Sequence, residues 1–186
     1  ILLNGINLND IPFDVLTKKI GFINHNAYVF NGTIEENIRM GKNDASLEEI
    51  YDALKKANLY EFVMTLPNKL KTNVGEGGSL LSGGQKQRLS IARAIARDPE
   101  IYIFDDSFSA LDYKTDRVLR KQLDKECSDS TRIIVAQRIG TIRDADKIIV
   151  LDEGEIVGLG RHDELMKNCE VYQQIALSQL SKEELA

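Results

Sequence analysis

Two hydrophobic periodicities alternate along the chain. Short apolar runs at residues 20–23, 101–104, 133–136 and 148–151 predict strands, and the unbroken run at 101–104 predicts one buried on both faces of a parallel sheet. From residue 33 to about 90 the spacing becomes helical: Leu47, Ile50, Leu54 and Ala57 fall on one stripe, with Ser46 placed as N-cap before Glu49. Leu89, Ala92, Ile95 and Ala96 recur at the same spacing, while Lys86, Arg88, Arg93 and Arg97 spread over the remaining faces and Pro99 stops the helix. A further helix is predicted over 113–127. Asp152-Glu153-Gly154 then turns the chain into residues 156–159 as a hairpin, before acidic amphipathic helices close the sequence. The pattern predicts an α/β fold with a mainly parallel sheet, residues 1–32 and 91–186 forming the core and 33–90 an inserted all-helical subdomain.

Composition narrows the function. At 186 residues with 42% apolar content the chain matches about one globular domain. A net charge of −5 with scattered basic residues argues against a general nucleic-acid binder. No apolar run approaches the roughly 18 residues of a membrane span, and no secretory signal is visible. Cys127 and Cys169 stand apart without zinc or redox spacing, which reads as reduced thiols.

The candidate chemistry gathers in residues 81–112. Ser82, Gly83 and Gly84 precede a helical run, so backbone N–H groups and the positive end of the helix dipole form an anion site suited to phosphate. Asp105 and Asp106 end the apolar strand, at the edge where open α/β sheets bind ligands, and a carboxylate there can hold magnesium through water beside phosphates. The phosphate-binding pattern G-x-x-x-x-G-K-[ST] does not occur. Gly41-Lys42 is followed by Asn43 and reads as a loop between helices.

This order of motifs resembles the nucleotide-binding domain of ATP-binding-cassette (ABC) proteins, whose core is P-loop NTPase-like (RecA-like). Residues 81–85 (LSGGQ) match the signature motif, 101–105 the Walker B strand and 109–112 the D-loop. The resemblance implies ATP and Mg2+ as cofactors, with Asp105 holding the metal through water. It also implies that Ser82, Gly83, Gly84, Gln85 and Asp112 act across a dimer, on the nucleotide gripped by a second nucleotide-binding domain. Gly32-Thr33-Ile34 with Glu36-Asn37-Ile38 resembles the segment after the Q-loop of exporter-type cassettes. Residues 72–78 (TNVGEGG) resemble their X-loop, with Asn73 and Gly77 departing from the usual glutamate and arginine. In that family both regions meet coupling helices of a transmembrane domain, which implies a location at the cytoplasmic face of a membrane. The opening ILLNGINLNDI resembles the strand after the P-loop helix, so the fold is expected to be incomplete at its N-terminus, with the P-loop of the parent lying before Ile1.

Three positions depart from the family pattern. His25 stands where a glutamine contacts magnesium and the attacking water, and histidine prefers softer metals. Asp106 replaces the catalytic glutamate and is shorter by one methylene; a misplacement of about 1 Å can cost about 100-fold in rate. Gln137 replaces a histidine that touches the γ-phosphate, and an amide can hydrogen-bond but not titrate. All three serve the nucleotide of their own subunit, whereas signature and D-loop are intact. The expectation is one half of an asymmetric heterodimeric exporter, poor at hydrolysis in its own site and completing its partner's. A soluble ABC ATPase and a non-hydrolysing regulatory module are the alternatives. His162, in GRHDEL, is expected to be a structural surface residue, and Tyr102 and Phe104 core.

Overall fold

The computed structural model describes residues 1–179, in two compact units: one from Ile1 to Val135, the other beginning at Ala136. In the first, β1 (Leu2–Leu3) and β2 (Ile6–Asn7) pair antiparallel around Asn4 and Gly5, whose φ angles of 50° and 84° are those an Asn-Gly turn tolerates. After α1 (Phe13–Lys19), β3 (Ile20–Ile23) is followed by four helices, α2 (Ile34–Arg39), α3 (Leu47–Lys56), α4 (Tyr60–Thr65) and α5 (Gly83–Ala96). The chain then forms β4 (Ile101–Asp105), α6 (Tyr113–Glu126) and β5 (Thr131–Val135). The three strands make a parallel sheet in the order β3-β4-β5, with Phe22, Ile103 and Ile133 in register.

Local sequence sets the helix boundaries. Thr33, Ser46 and Ser82 each accept a hydrogen bond from the backbone N–H three residues on, while Glu36, Glu49 and Gln85 reach back to the cap amide. These capping boxes satisfy two otherwise orphaned donors apiece. α5 ends where Asp98 turns left-handed at φ 52°, one residue before Pro99. It packs on α2 and α3, and its Leu89, Ile91, Ala92 and Ile95 are buried in the shared core. The approach is close at Gly41, where a Cβ would stand 2.1 Å from the Arg93 carbonyl oxygen.

Burial corrects one expectation for this unit. β4 is not buried on both faces: Tyr102 and Phe104 are fully buried, but Ile101 and Ile103 only partly. The helices cover one face, and the other carries Phe22, Ile133 and Val135 at 58%, 50% and 53% exposure. Arg93 is half-buried, its guanidinium held against α2 and residues 28–30, and burial pushes its pKa down to about 10, leaving it charged at neutral pH.

The second unit holds α7 (Ile139–Ile142), β6 (Ile148–Asp152), β7 (Glu155–Gly160), α8 (His162–Asn168) and α9 (Glu170–Gln179). β6 and β7 form the expected antiparallel hairpin, turned by Glu153 and Gly154 at φ 46° and 85°. Ile148, Val150, Leu165, Tyr172 and Ala176 fill its core. His162 belongs to that core rather than to the surface: it is 8% exposed, with Nδ1 2.8 Å from Tyr172 Oη. Burial, then the Arg143 charge, lowers its pKa, while burial raises that of Tyr172, so both groups are held neutral. The expected closing helices reach Gln179; residues 180–186 lie outside the described residues.

Candidate functional site

Ser82 is the N-cap of α5, and Gly83, Gly84 and Gln85 open its first turn. The capping box uses the Ser82 and Gln85 amides and side chains, at 2.8 Å from Ser82 N to Gln85 Oε1 and 3.3 Å from Gln85 N to Ser82 Oγ. Gly83 and Gly84 supply the first-turn amides that the box leaves over. No acidic side chain lies in this turn, and a Cβ on Gly83 would meet nothing within 4 Å. An open helix terminus with spare amides fits a phosphate oxygen.

Asp105 and Asp106 lie at the carboxyl end of β4, both partly buried. Asp106 leaves the strand with φ 47°, a left-handed geometry that aspartate tolerates better than most residues, and its N–H bonds Val135 O at 2.9 Å. That turn brings Asp106 to His25, 81 residues earlier in the chain. His25 Nδ1 faces three oxygens: Ser109 Oγ at 3.2 Å, Asp106 O at 3.3 Å and the Asp106 carboxylate at 3.4 Å. Ser109 Oγ donates to Asp106 O at 2.8 Å, so toward His25 it accepts. The neutral tautomer that suits these partners carries its proton on Nδ1. The His25 side chain is 51% exposed, that of Asp106 22%.

These contacts bear on metal binding. With Nδ1 engaged, His25 has only Nε2 for a metal, a donor poorly matched to magnesium. Among the described residues no group of three or more His, Cys, Asp and Glu side chains could hold a metal ion. Asp105 suits a magnesium ion whose remaining ligands are water and phosphate oxygens, the usual arrangement for that cation.

Asp112 N-caps α6, accepting from Thr115 N at 2.9 Å; hydrogen bonds from the Thr115 side chain and backbone lower its pKa and keep it ionised. Gln137 lies in the second unit, exposed, with its carbonyl accepting from Gln179 Nε2 at 2.8 Å. The exporter-like segments meet each other. Thr33 and Asn73 form an antiparallel bridge, Ile34 N donates to Thr72 O at 3.1 Å, and Val74 N donates to Gly32 O at 2.8 Å.

Sequence reasoning missed the His25–Asp106–Ser109 cluster, which no local spacing encodes. It also missed Gln87 and Ser107, both buried, which fix the backbone just before His25: Gln87 Nε2 donates to Asn24 O at 3.1 Å and Ser107 Oγ to Ile23 O at 2.7 Å. A polar residue on the apolar side of α5 was the available signal for Gln87. Among the described residues no helix is long and apolar enough to cross a membrane.

Known proteins share this organisation. The family model described as "ABC transporter" matches residues 1–109. A putative multidrug export ATP-binding/permease protein of Bacillus subtilis is 44% identical over 89% of this chain and 29% of its own length. An ATP-dependent lipid A-core flippase of Francisella tularensis is 40% identical over 97% of this chain and 30% of its own. The solved structure of a bacterial Atm1-family ABC exporter with ATP bound superposes with a TM-score of 0.92 at 34% identity, covering 97% of this chain and 32% of that one. The chain thus spans about 30% of the length of these two relatives.

Proposed function

Because this chain belongs to the ABC transporter family, we propose that it is the ATP-binding part of an exporter, lying at the cytoplasmic face of a membrane. In this reading it couples ATP-driven dimerisation with a second nucleotide-binding domain to rearrangement of a transmembrane domain. The multidrug and lipid exporters among its relatives support that role. Ser82, Gly83, Gly84, Gln85 and Asp112 serve the partner's ATP: the spare first-turn amides and Ser82 meet phosphate oxygens, and the cap at Asp112 holds the D-loop in place. Asp105 holds magnesium through water. The outer side of the ladder joining the two exporter-like segments, at Gly32, Thr33, Thr72 and Asn73, receives the coupling helices.

The chain's own nucleotide is hydrolysed poorly in this proposal. The observation that carries it is the approach of His25 Nδ1 to the Asp106 carboxylate at 3.4 Å. A general base must reach about 2.6–3.2 Å from its water. Asp106 is one methylene short of a glutamate and faces the imidazole, so it is a weak candidate; Gln137 can donate to a γ-phosphate without adding charge. An asymmetric pair follows, with the second subunit a different chain.

The test is ATP turnover by the full-length parent assembled with its partner. Ser82→Arg should remove most of it, because bulk and charge fill the partner's phosphate site; Asp106→Glu should change it less. The reverse ranking would show that the roles are assigned to the wrong sites.

A further inference from the structure

α5 holds more than the signature turn. Gln87, 1% exposed, reaches back to Asn24 O. Six residues on, Arg93 donates through its Nε to Asn37 O at 2.9 Å, and through its two terminal nitrogens to Tyr28 O at 2.9 Å and Asn37 Oδ1 at 2.8 Å. Its guanidinium also lies 4.9 Å from the Phe30 ring centre. Asn37, itself buried, completes the cluster by accepting from Phe30 N at 2.9 Å and donating to Phe30 O at 2.9 Å and Thr33 O at 3.0 Å. Val29 between them packs under Gly78, where a Cβ would stand 3.0 Å from the valine side chain.

Arg93 makes no ion pair among the described residues, and its partners are carbonyl oxygens and an aromatic face. Drawing a charge partly out of water costs stability unless its donors find partners. What three directed bonds from a planar fork do provide is a fixed geometry. The segment they fix begins beside His25 and runs into the part-exposed Gly32–Thr33 surface. One helix therefore grips that segment at both ends, at Asn24 and at Tyr28 to Asn37, while presenting Ser82 at its own N-terminus.

We infer that Gln87 and Arg93 are positioning residues for ATP turnover, locking residues 24–37 to α5 so that displacement of the Gly32–Thr33 surface is delivered to the signature turn. This rests on the reading of that turn as a contact to the partner's nucleotide. Removing either donor leaves the hydrophobic packing of α5 in place and loosens only the lock.

The experiment uses the full-length parent with its partner, comparing wild type with Gln87→Met, Arg93→Met, the double variant and Arg93→Lys. In the nucleotide-free state, amide hydrogen exchange over residues 24–30 should rise about tenfold in the Met variants while the interior of α5 is unchanged. kcat for ATP should fall about tenfold, within the range of coupling changes by residues that touch no ligand, with KM altered less than about twofold. Arg93→Lys should recover most of kcat, and the double variant should be no worse than Arg93→Met, because both residues act through one lock. Unchanged exchange over 24–30, equal loosening of α5, or an intact kcat overturns the inference. A wild-type pair without turnover would instead defeat the functional reading, and exchange alone would still decide whether the lock exists.

Discussion

Gly41→Ala should be among the most damaging single-methyl additions in this chain. The new Cβ would lie 2.1 Å from Arg93 O and 3.1 Å from both the carbonyl carbon and Cγ of that residue. Carbon–oxygen contacts settle at about 3.3 Å, so the link between α2 and α3 must withdraw from α5 by about 1 Å. A shift of that size stretches the 2.9 Å bond from Arg93 Nε to Asn37 O beyond hydrogen-bonding range. Overpacking costs about 1–3 kcal/mol, and losing a hydrogen bond to a charged group about 1.5–3 kcal/mol. Against these, alanine restricts the unfolded chain by about 0.4–1 kcal/mol. The net expectation is about 3 kcal/mol of destabilisation, read by urea unfolding followed by far-ultraviolet circular dichroism at pH 7. A variant within about 0.5 kcal/mol of wild type would refute the reasoning, since it would mean that α2 and α5 separate freely.

Gly83→Ala makes the complementary case: with open space around its Cβ, stability should be unchanged or slightly raised, while ATP turnover of the assembled parent falls as the methyl group enters the phosphate approach. Turnover equal to wild type would remove that first turn from the phosphate site. His162 is held neutral by burial, its folded pKa below the ordinary 6.5; its contribution is therefore complete above about pH 6.5 and is lost as pH falls from there through the folded value. His162→Phe should flatten the decline in melting temperature between pH 7 and 5, and should lower it at pH 7 by leaving the Tyr172 hydroxyl without its partner, a cost of about 1–3 kcal/mol. An unaltered pH profile would show that another group titrates. Glu35, kept ionised chiefly by the Lys71 hydrogen bond and then by Arg39, should behave likewise in acid, with stability falling below about pH 4.5 and with Lys71→Met blunting the effect in acid titration of unfolding.

Much of this could be read from the chain alone because the signals are local. Ser46 with Glu49, Ser82 with Gln85, and Pro99 after Asp98 mark helix ends by hydrogen bonds that span three or four residues. Asp152-Glu153-Gly154 fixed the hairpin in the same way. Features built from distant segments were not legible. His25 meets Asp106 only because β3 and β4 pair in parallel, and Arg93 is half-buried only because α2 and residues 28–30 lie against it. Its spacing on α5 resembles that of a solvated cation. β4 misled for a related reason: a continuous apolar run states that a strand can be covered on both sides, not that both covers stand within the described residues.

The pairing of β3 with β4 also has a kinetic meaning. Ile20 and its partner Ile101 are 81 residues apart, whereas Ile101 and Thr131 are separated by 30. Closing the longer loop carries the larger entropic penalty and is repaid only once residues between the strands have condensed. α2 to α5 lie within that interval and pack mainly on one another. They are expected to order first, drawing β3 toward β4, so the turn bearing His25 and Asp106 would be among the last parts of the unit to reach its final form.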